Sequence, residues 1–286
     1  MSAPFFTNRT LVIATMHRKE QAIAPLIEPA LGVKTLVPKD FNTDSFGTFT
    51  RERQRPADQL STARLKAEAA LKLTGETLAI ASEGSFGPHP QIPFVACDRE
   101  LVLLYDQQHQ LEIVGEALCS DTNFQSKTVT SPQAAIAFAK SVGFPDHGMV
   151  VMPFAERNPH QPFAKGITAE TDLVQAVATV LEQSADGQAH IETDMRALYN
   201  PTRMQAIAQA TQDLLQKIEQ RCPRCHYPGF DIVQRQPGLP CGYCQAPTLL
   251  TLSVLYRCQH CQFQQSERFP DSRQFADPAR CLYCNP

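Results

Sequence analysis

Eight cysteines crowd into the last quarter of the chain as four Cys-x-x-Cys pairs: Cys222/Cys225, Cys241/Cys244, Cys258/Cys261 and Cys281/Cys284. Two cysteines separated by two residues can turn both sulfurs toward one ion in a tight knuckle. Two knuckles complete a closed tetrahedral shell of four cysteines with no position left open for catalysis. The pattern points to two zinc ions, with a disulfide set or bound iron as the alternatives. The gaps between pairs are 15, 13 and 19 residues, each long enough for a hairpin. Short loops close first, so the spacing favours sequential pairing into two stacked zinc ribbons. Interleaved pairing would instead give a cross-braced module. His226 and His260 flank knuckles and could each replace a cysteine, but eight thiolates already fill two sites.

Residues 221–286 carry seven Arg, no Lys and four acidic residues. Two zinc ions and eight thiolates bring that formal +3 to near −1. A nucleic-acid surface usually shows a clear basic excess, so a structural role or contact with a protein is supported at least as well as contact with nucleic acid. Tyr227, Phe230, Tyr243 and Tyr283 are the aromatics that could face a partner or pack the small core.

A second group with chemical potential lies near the N-terminus. Thr15-Met16-His17-Arg18-Lys19-Glu20 sits where a strand should end and a helix begin. Backbone N–H groups at a helix start favour anions, and His17, Arg18 and Lys19 add donors there; the alternative is a solvated helix start. Arg64 and Lys66 lie on a helical stretch, where a solvated face is the plain reading. The loop Ser82–Pro90 (SEGSFGPHP) offers Glu83, Ser82, Ser85, His89 and glycines that permit close backbone approach. It follows a strand end, where ligands collect in open α/β sheets; a structural turn is the alternative. Asp58, Asp98 and Asp121 are further carboxylates without a decisive local context.

The elements that must hold these groups alternate. Thr10–Thr15 is a short apolar run that fits a buried strand, and His17–Leu31 is mostly helix-forming, with a helix that is short or kinked near Pro25. Val33–Val37, Thr77–Ser82 and Gly148–Met152 read as strands, and Glu100–Tyr105 with Leu111–Val114 as a hairpin. Ala57–Leu73, with Leu60, Ala63, Ala67 and Leu71 at helical spacing, is the clearest helix, and Gly75 is its stop. Pro132–Val142 and Thr171–Gln183 are helical. Asn200-Pro201 is an N-cap and first-turn pair opening a helix to about Gln220. Thr248–Arg257 is strand-like. The expected fold is α/β, a mixed sheet with flanking helices over residues 1–155. A helical segment over 156–220 and a C-terminal double zinc-ribbon module over 221–286, with two four-cysteine sites, follow.

The ordered pieces IATMHRK (13–19), TARLKAEAA (62–70), IASEGSF (80–86), RELVLLYD (99–106) and TSPQAAIAFAKSVG (130–143) resemble the house-cleaning nucleoside-triphosphate pyrophosphatases acting on inosine and xanthosine triphosphates, and the Maf-like proteins. The resemblance spans about residues 10–153. It implies a triphosphate cradle of Thr15, His17 and Lys19 and a strand-end metal carboxylate at Glu83. Asp58 would be a second acidic position, with Arg64 and Lys66 as basic helix positions and Arg196 or Arg203 as a late basic residue near the base. The implied chemistry is magnesium-assisted attack of water on a nucleotide phosphate. The whole chain, with its SEGSFGPHP, NPTRM and Cys pairs, more closely resembles an uncharacterised bacterial, largely cyanobacterial, family of unknown function, and that likeness implies no activity.

Two functions stay open: a metal-dependent nucleotide phosphohydrolase with a zinc appendage, or a non-enzymatic module binding a nucleotide, nucleic acid or protein. The 286 residues carry a net charge of −3, so no global excess draws the protein to anionic surfaces. No stretch approaches the ~20 apolar residues of a membrane span, and the apolar run Leu11–Ala14 is too short for a signal-peptide core. Cysteines in metal-ligand spacing fit the cytoplasm better than an oxidising compartment.

Overall fold

The first apolar run becomes β1 (Thr10–Ile13), buried from Leu11 onward. In the computed structural model, which describes residues 5–47, 56–153 and 163–286, α1 (Glu20–Leu31) follows it. Ile23, Ile27 and Leu31, four apart, form the buried stripe of α1, and Gly32 ends it at φ 66°, a left-handed conformation that costs glycine little. Of the two outcomes expected at Pro25, a short helix does not occur: α1 runs through both Pro25 and Pro29. β2 (Lys34–Leu36) leads to a 3-10 turn at Thr43–Phe46, where the Asn42 side chain accepts from Asp44 N. Then come α2 (Gln59–Thr74), β3 (Leu78–Pro88), β4 (Ala96–Asp106) and β5 (Leu111–Cys119). These strands form a mixed sheet in the order β2-β1-β3-β4-β5. β1 pairs parallel with β2 and β3, and the long β3, β4 and β5 pair antiparallel.

Small residues let α2 lie close to this sheet. Ala63, Ala67 and Ala70 pack on Val12, Ala14, Ala79, Ala81, Leu101 and Leu103. Each large apolar side chain buried in this way contributes ~1.5–3 kcal/mol. The stretch Glu83–Pro88, expected as an irregular loop, is instead the outer half of β3, registered against β4 from Glu83↔Leu101 to Pro88↔Ala96. Local polarity hid the strand; the ladder to β4 supplies the hydrogen bonds that make it one.

A second sheet, β6-β9-β7-β8, is antiparallel throughout. Its elements in chain order are β6 (Ser126–Val129), α3 (Pro132–Ser141), β7 (Met149–Pro153), β8 (Ala164–Ile167), α4 (Glu170–Gln183) and β9 (Ala189–Thr193). α3 and α4 cover it through Ala135, Phe138, Ala139, Leu173, Val177 and Val180. The stretch expected as a helical connector over 156–220 therefore also contains β8 and β9, four- and five-residue strands too short to show a period. The expected boundary at 155/156 lies outside the described residues.

α5 (Pro201–Glu219) starts at Asn200, whose side chain accepts from Arg203 N at 2.9 Å. It is seated on β5: a Cβ at Gly115 would fall 2.1 Å from Ala210 O. The chain divides by compactness into Met1–Leu215 and Gln216–Pro286. The second unit is a meander of β10 (Asp231–Pro237), β11 (Thr251–Arg257) and β12 (Gln264–Arg268). Among the described residues no helix is long and apolar enough to cross a membrane.

Candidate functional site

The second unit brings its eight cysteines into two quartets, Cys222/Cys225/Cys258/Cys261 and Cys241/Cys244/Cys281/Cys284, each able to hold a metal ion. Sulfurs of partner knuckles lie 3.7 and 3.6 Å apart in the first quartet and 3.8 and 3.6 Å in the second. A tetrahedron of sulfurs at about 2.3 Å from zinc has edges of about 3.8 Å, so the donor sets fit the ion. Every knuckle closes with the N–H of the residue after its second cysteine bonded to the carbonyl of the first, at 2.8–3.2 Å. In three of the four that residue, His226, Gln245 or Gln262, adopts positive φ.

The pairing corrects the sequential arrangement favoured from spacing: the first pair joins the third, and the second joins the fourth. The β ladder is the physical reason. Asp231 pairs with Arg257, so the knuckles before β10 and after β11 meet at one end. Pro237 pairs with Thr251 at the other, roughly 20 Å away at strand rise, and there Cys241 bridges to Ala276 ahead of the fourth knuckle. The first quartet is packed by aromatics, with Tyr227 stacked on His260 at 4.4 Å and Phe230 on Tyr256 at 5.5 Å. Around the second, Tyr243 and Tyr283 are exposed.

The first unit holds a cavity of about 330 Å³ at the end of β1 and the outer half of β3, with Val150, Glu192 and Thr193 of the second sheet and Met195 and Arg196 just after β9 on its far wall. Thr15, His17 and Lys19 from the turn after β1 line it, as do Lys66 from α2 and Glu83 from β3. These five sequence-expected residues converge. Asp58 and Arg64 do not. Asp58 is the exposed N-cap of α2, accepting from Ser61 N at 2.9 Å and Ser61 Oγ at 2.8 Å. Arg64 forms a two-point ion pair with Glu112, 2.7 Å on each arm. Both Arg64 and Lys66 lie on α2, but only Lys66, at the right helical phase, faces the cavity. His89, also singled out in the sequence, is half-buried and does not line the cavity; its Nδ1 accepts from Gln91 N.

Lys19 is buried to 6% exposure, and its ammonium donates to Ser82 Oγ at 3.0 Å and Ser82 O at 3.2 Å. No described carboxylate forms an ion pair with it. Burial first, then the Arg203 guanidinium, pull its pKa down to about 7, while Glu100 pulls the other way. Lys66 is by contrast ion-paired to Glu83. His17 Nε2 lies 2.9 Å from Asp44 Oδ1, and its backbone N–H donates to Thr15 Oγ1. Burial lowers the His17 pKa, opposed by the hydrogen bond to Asp44. The same bond to His17 lowers the Asp44 pKa. Arg196 is fixed by Asp194, from Nε at 3.0 Å and Nη2 at 2.6 Å, and lies 4.6 Å over the Tyr199 ring. Phe86 and Phe124 add an aromatic wall, ring centroids 5.6 Å apart.

Asp44, Glu192, Phe86 and Phe124 were not singled out from sequence. Asp44 carried no signal, because nothing local ties it to a histidine 27 residues earlier. Arg196 was named only through resemblance, although Asp194-Met195-Arg196 just after a strand was a visible pair.

Behind the cavity lies a wholly buried ion pair, Arg203 Nε to Glu100 Oε1 at 2.6 Å. Gly84 makes room for it: a Cβ there would sit 2.2 Å from Glu100 Oε1. Asp98 shares the face of β4 with Glu100, and burial, then the Glu100 charge, push its pKa up to about 8. Both influences favour its neutral form.

Residues 66–286 match the model of a family described as Domain of unknown function (DUF6671), and the chain belongs to that family. No curated protein matches the chain.

Proposed function

We propose that this member of a domain-of-unknown-function family binds a phosphorylated small molecule of nucleotide type in the cavity of its first unit, and two zinc ions in its second. The observation that carries the first part is Lys19, a buried ammonium with three donors, two of them on Ser82, and no carboxylate partner among the described residues. A buried cation is costly unless it is paired, and an entering phosphate oxygen would pair it. Lys66 and Arg196, both lining the cavity, supply further positive charge, each already oriented by a carboxylate. The Phe86–Phe124 wall suits a base or another flat apolar group.

The donors do not favour magnesium here. Of the two carboxylates expected to hold it, Asp58 is an N-cap and Glu83 is committed to Lys66, so the cation beside Glu83 is the protein's own. The sulfur quartets supply structural zinc, closed to substrate, and their reduced thiolates fit a cytoplasmic setting.

Calorimetric titration of the full-length, zinc-loaded chain with pyrophosphate and with nucleoside triphosphates tests the reading. Lys19→Met should weaken binding about 10- to 100-fold, the worth of a charge-assisted hydrogen bond. Unchanged affinity would sink the reading.

The exposed Tyr243 and Tyr283 on the second quartet favour an additional role, docking of a protein partner on that knuckle pair, as aromatics are enriched in interfaces. Cross-linking from these positions in cells, lost in Tyr243→Ala/Tyr283→Ala at unchanged zinc content, tests it.

A further inference from the structure

We infer that His17 and Asp44 form a proton-accepting dyad that makes the cavity a hydrolase site, with His17 Nδ1 as the base. This rests on the reading of the cavity as a phosphate site. Asp44, held ionised, can only accept, so the proton of the 2.9 Å contact resides on His17 Nε2. His17 is kept neutral by burial, and its Nδ1 then carries a lone pair. That atom is buried and has no hydrogen-bond partner among the described residues, and the residue lines the cavity. A buried acceptor left unmatched at the wall of a polar cavity is a place for a water or a substrate hydroxyl.

The surroundings suit the task. The Thr15 hydroxyl holds the turn that carries His17. The charged groups that act on the ring are Asp44 from the 3-10 turn, Lys19 from its own turn and Arg196 beyond β9. Lys165 of β8 acts in turn on Asp44. Burial, with Lys19 and Arg196, keeps the imidazole unprotonated near neutrality, and the aspartate orients it. In the reaction a water oxygen bonds to phosphorus while one water proton passes to Nδ1. The phosphorus–oxygen bond to the leaving group breaks, and the leaving oxygen departs as a phosphate oxyanion. Lys19 and Arg196 balance its charge, and the imidazolium returns its proton to the leaving oxygen or to solvent. Asp44 is a positioning residue.

The experiment pairs binding with turnover on the full-length, zinc-loaded chain. Pyrophosphate and a panel of nucleoside triphosphates serve as probes, with no divalent metal added. The expected result is phosphate release that falls on the order of 100- to 10,000-fold in His17→Gln, with affinity for the probe kept within about threefold. In the wild type the rate should rise with pH through a value below the ordinary histidine 6.5. In Asp44→Asn that limb should move to lower pH, because the raising influence of Asp44 is gone; a purely structural dyad would leave it in place. Binding without turnover, or turnover surviving in His17→Gln, overturns the dyad and leaves the phosphate reading standing. Absence of binding in the wild type removes both. If His17→Gln fails to fold by circular dichroism, the Asp44→Asn profile decides, and an unmoved limb rejects the proposal.

Discussion

Arg203 donates from Nε to Glu100 Oε1 at 2.6 Å with both side chains wholly excluded from solvent. Its other arm reaches the Met195 carbonyl. One guanidinium thus joins α5, the middle of β4 and the segment after β9. It links both sheets of the first unit beneath the cavity.

Arg203→Ala should therefore destabilise the first unit by ~3–5 kcal/mol, the cost of leaving a buried charge unpaired. In a thermal melt that corresponds to roughly 6–20 °C. Replacing both partners with apolar residues, Arg203→Met with Glu100→Leu, should cost less than either single change. Gly84→Ala should resemble the single changes, since its Cβ would displace the Glu100 carboxylate. A melt of Gly84→Ala within about 2 °C of wild type would contradict this packing.

Two buried groups should tilt stability with pH in opposite directions. Asp98 has its folded pKa raised from 3.8 to about 8, so the folded chain holds the extra proton between those values. Stability contributed by the neutral acid is lost as pH climbs from about 4 to about 8. Lys19 has its folded pKa lowered from 10.5 to about 7, so the unfolded chain holds the extra proton over that window, and stability rises with pH from about 7 to about 10. Urea melts across pH should show the Asp98→Asn difference curve sloping only in the acid window and the Lys19→Met curve only in the alkaline one.

Binding of pyrophosphate should weaken with rising pH once the Lys19 ammonium deprotonates. The bound anion will itself hold that proton more firmly, so the fall should begin above about pH 7 rather than at it. Calorimetry at roughly pH 6, 7.5 and 9 would show it, and Lys19→Met should lack the dependence.

The interleaved quartets make a sharp prediction for metal replacement. The chain should bind two cadmium ions with two resolved cadmium NMR signals. Cys225→Ser and Cys261→Ser should abolish the same signal, and Cys241→Ser the other. If Cys225→Ser and Cys241→Ser removed the same signal, the pairing would be sequential after all. Chelation should unfold the second unit, because structural zinc supplies ~10–16 kcal/mol in small folds of this kind.

Much of the site was written locally. Four Cys-x-x-Cys units determine two four-cysteine sets, because a knuckle needs only its own four residues to aim two sulfurs at one point. Thr15, His17 and Lys19 could be singled out because they follow the end of β1, and Glu83 because it follows an apolar run, although β3 continues through it to Pro88. Gly75 and Asn200-Pro201 marked helix ends because capping is a matter of adjacent residues. The tertiary structure alone decided the rest. Which knuckles share an ion depends on the register of β10 against β11, and that ladder overrode loop length. Which of Arg64 and Lys66 serves the cavity depends on the phase of α2 against the sheet. His17 met Asp44, and Arg203 met Glu100, only when separate elements packed, since long-range pairs are selected by burial and leave no periodicity in the chain.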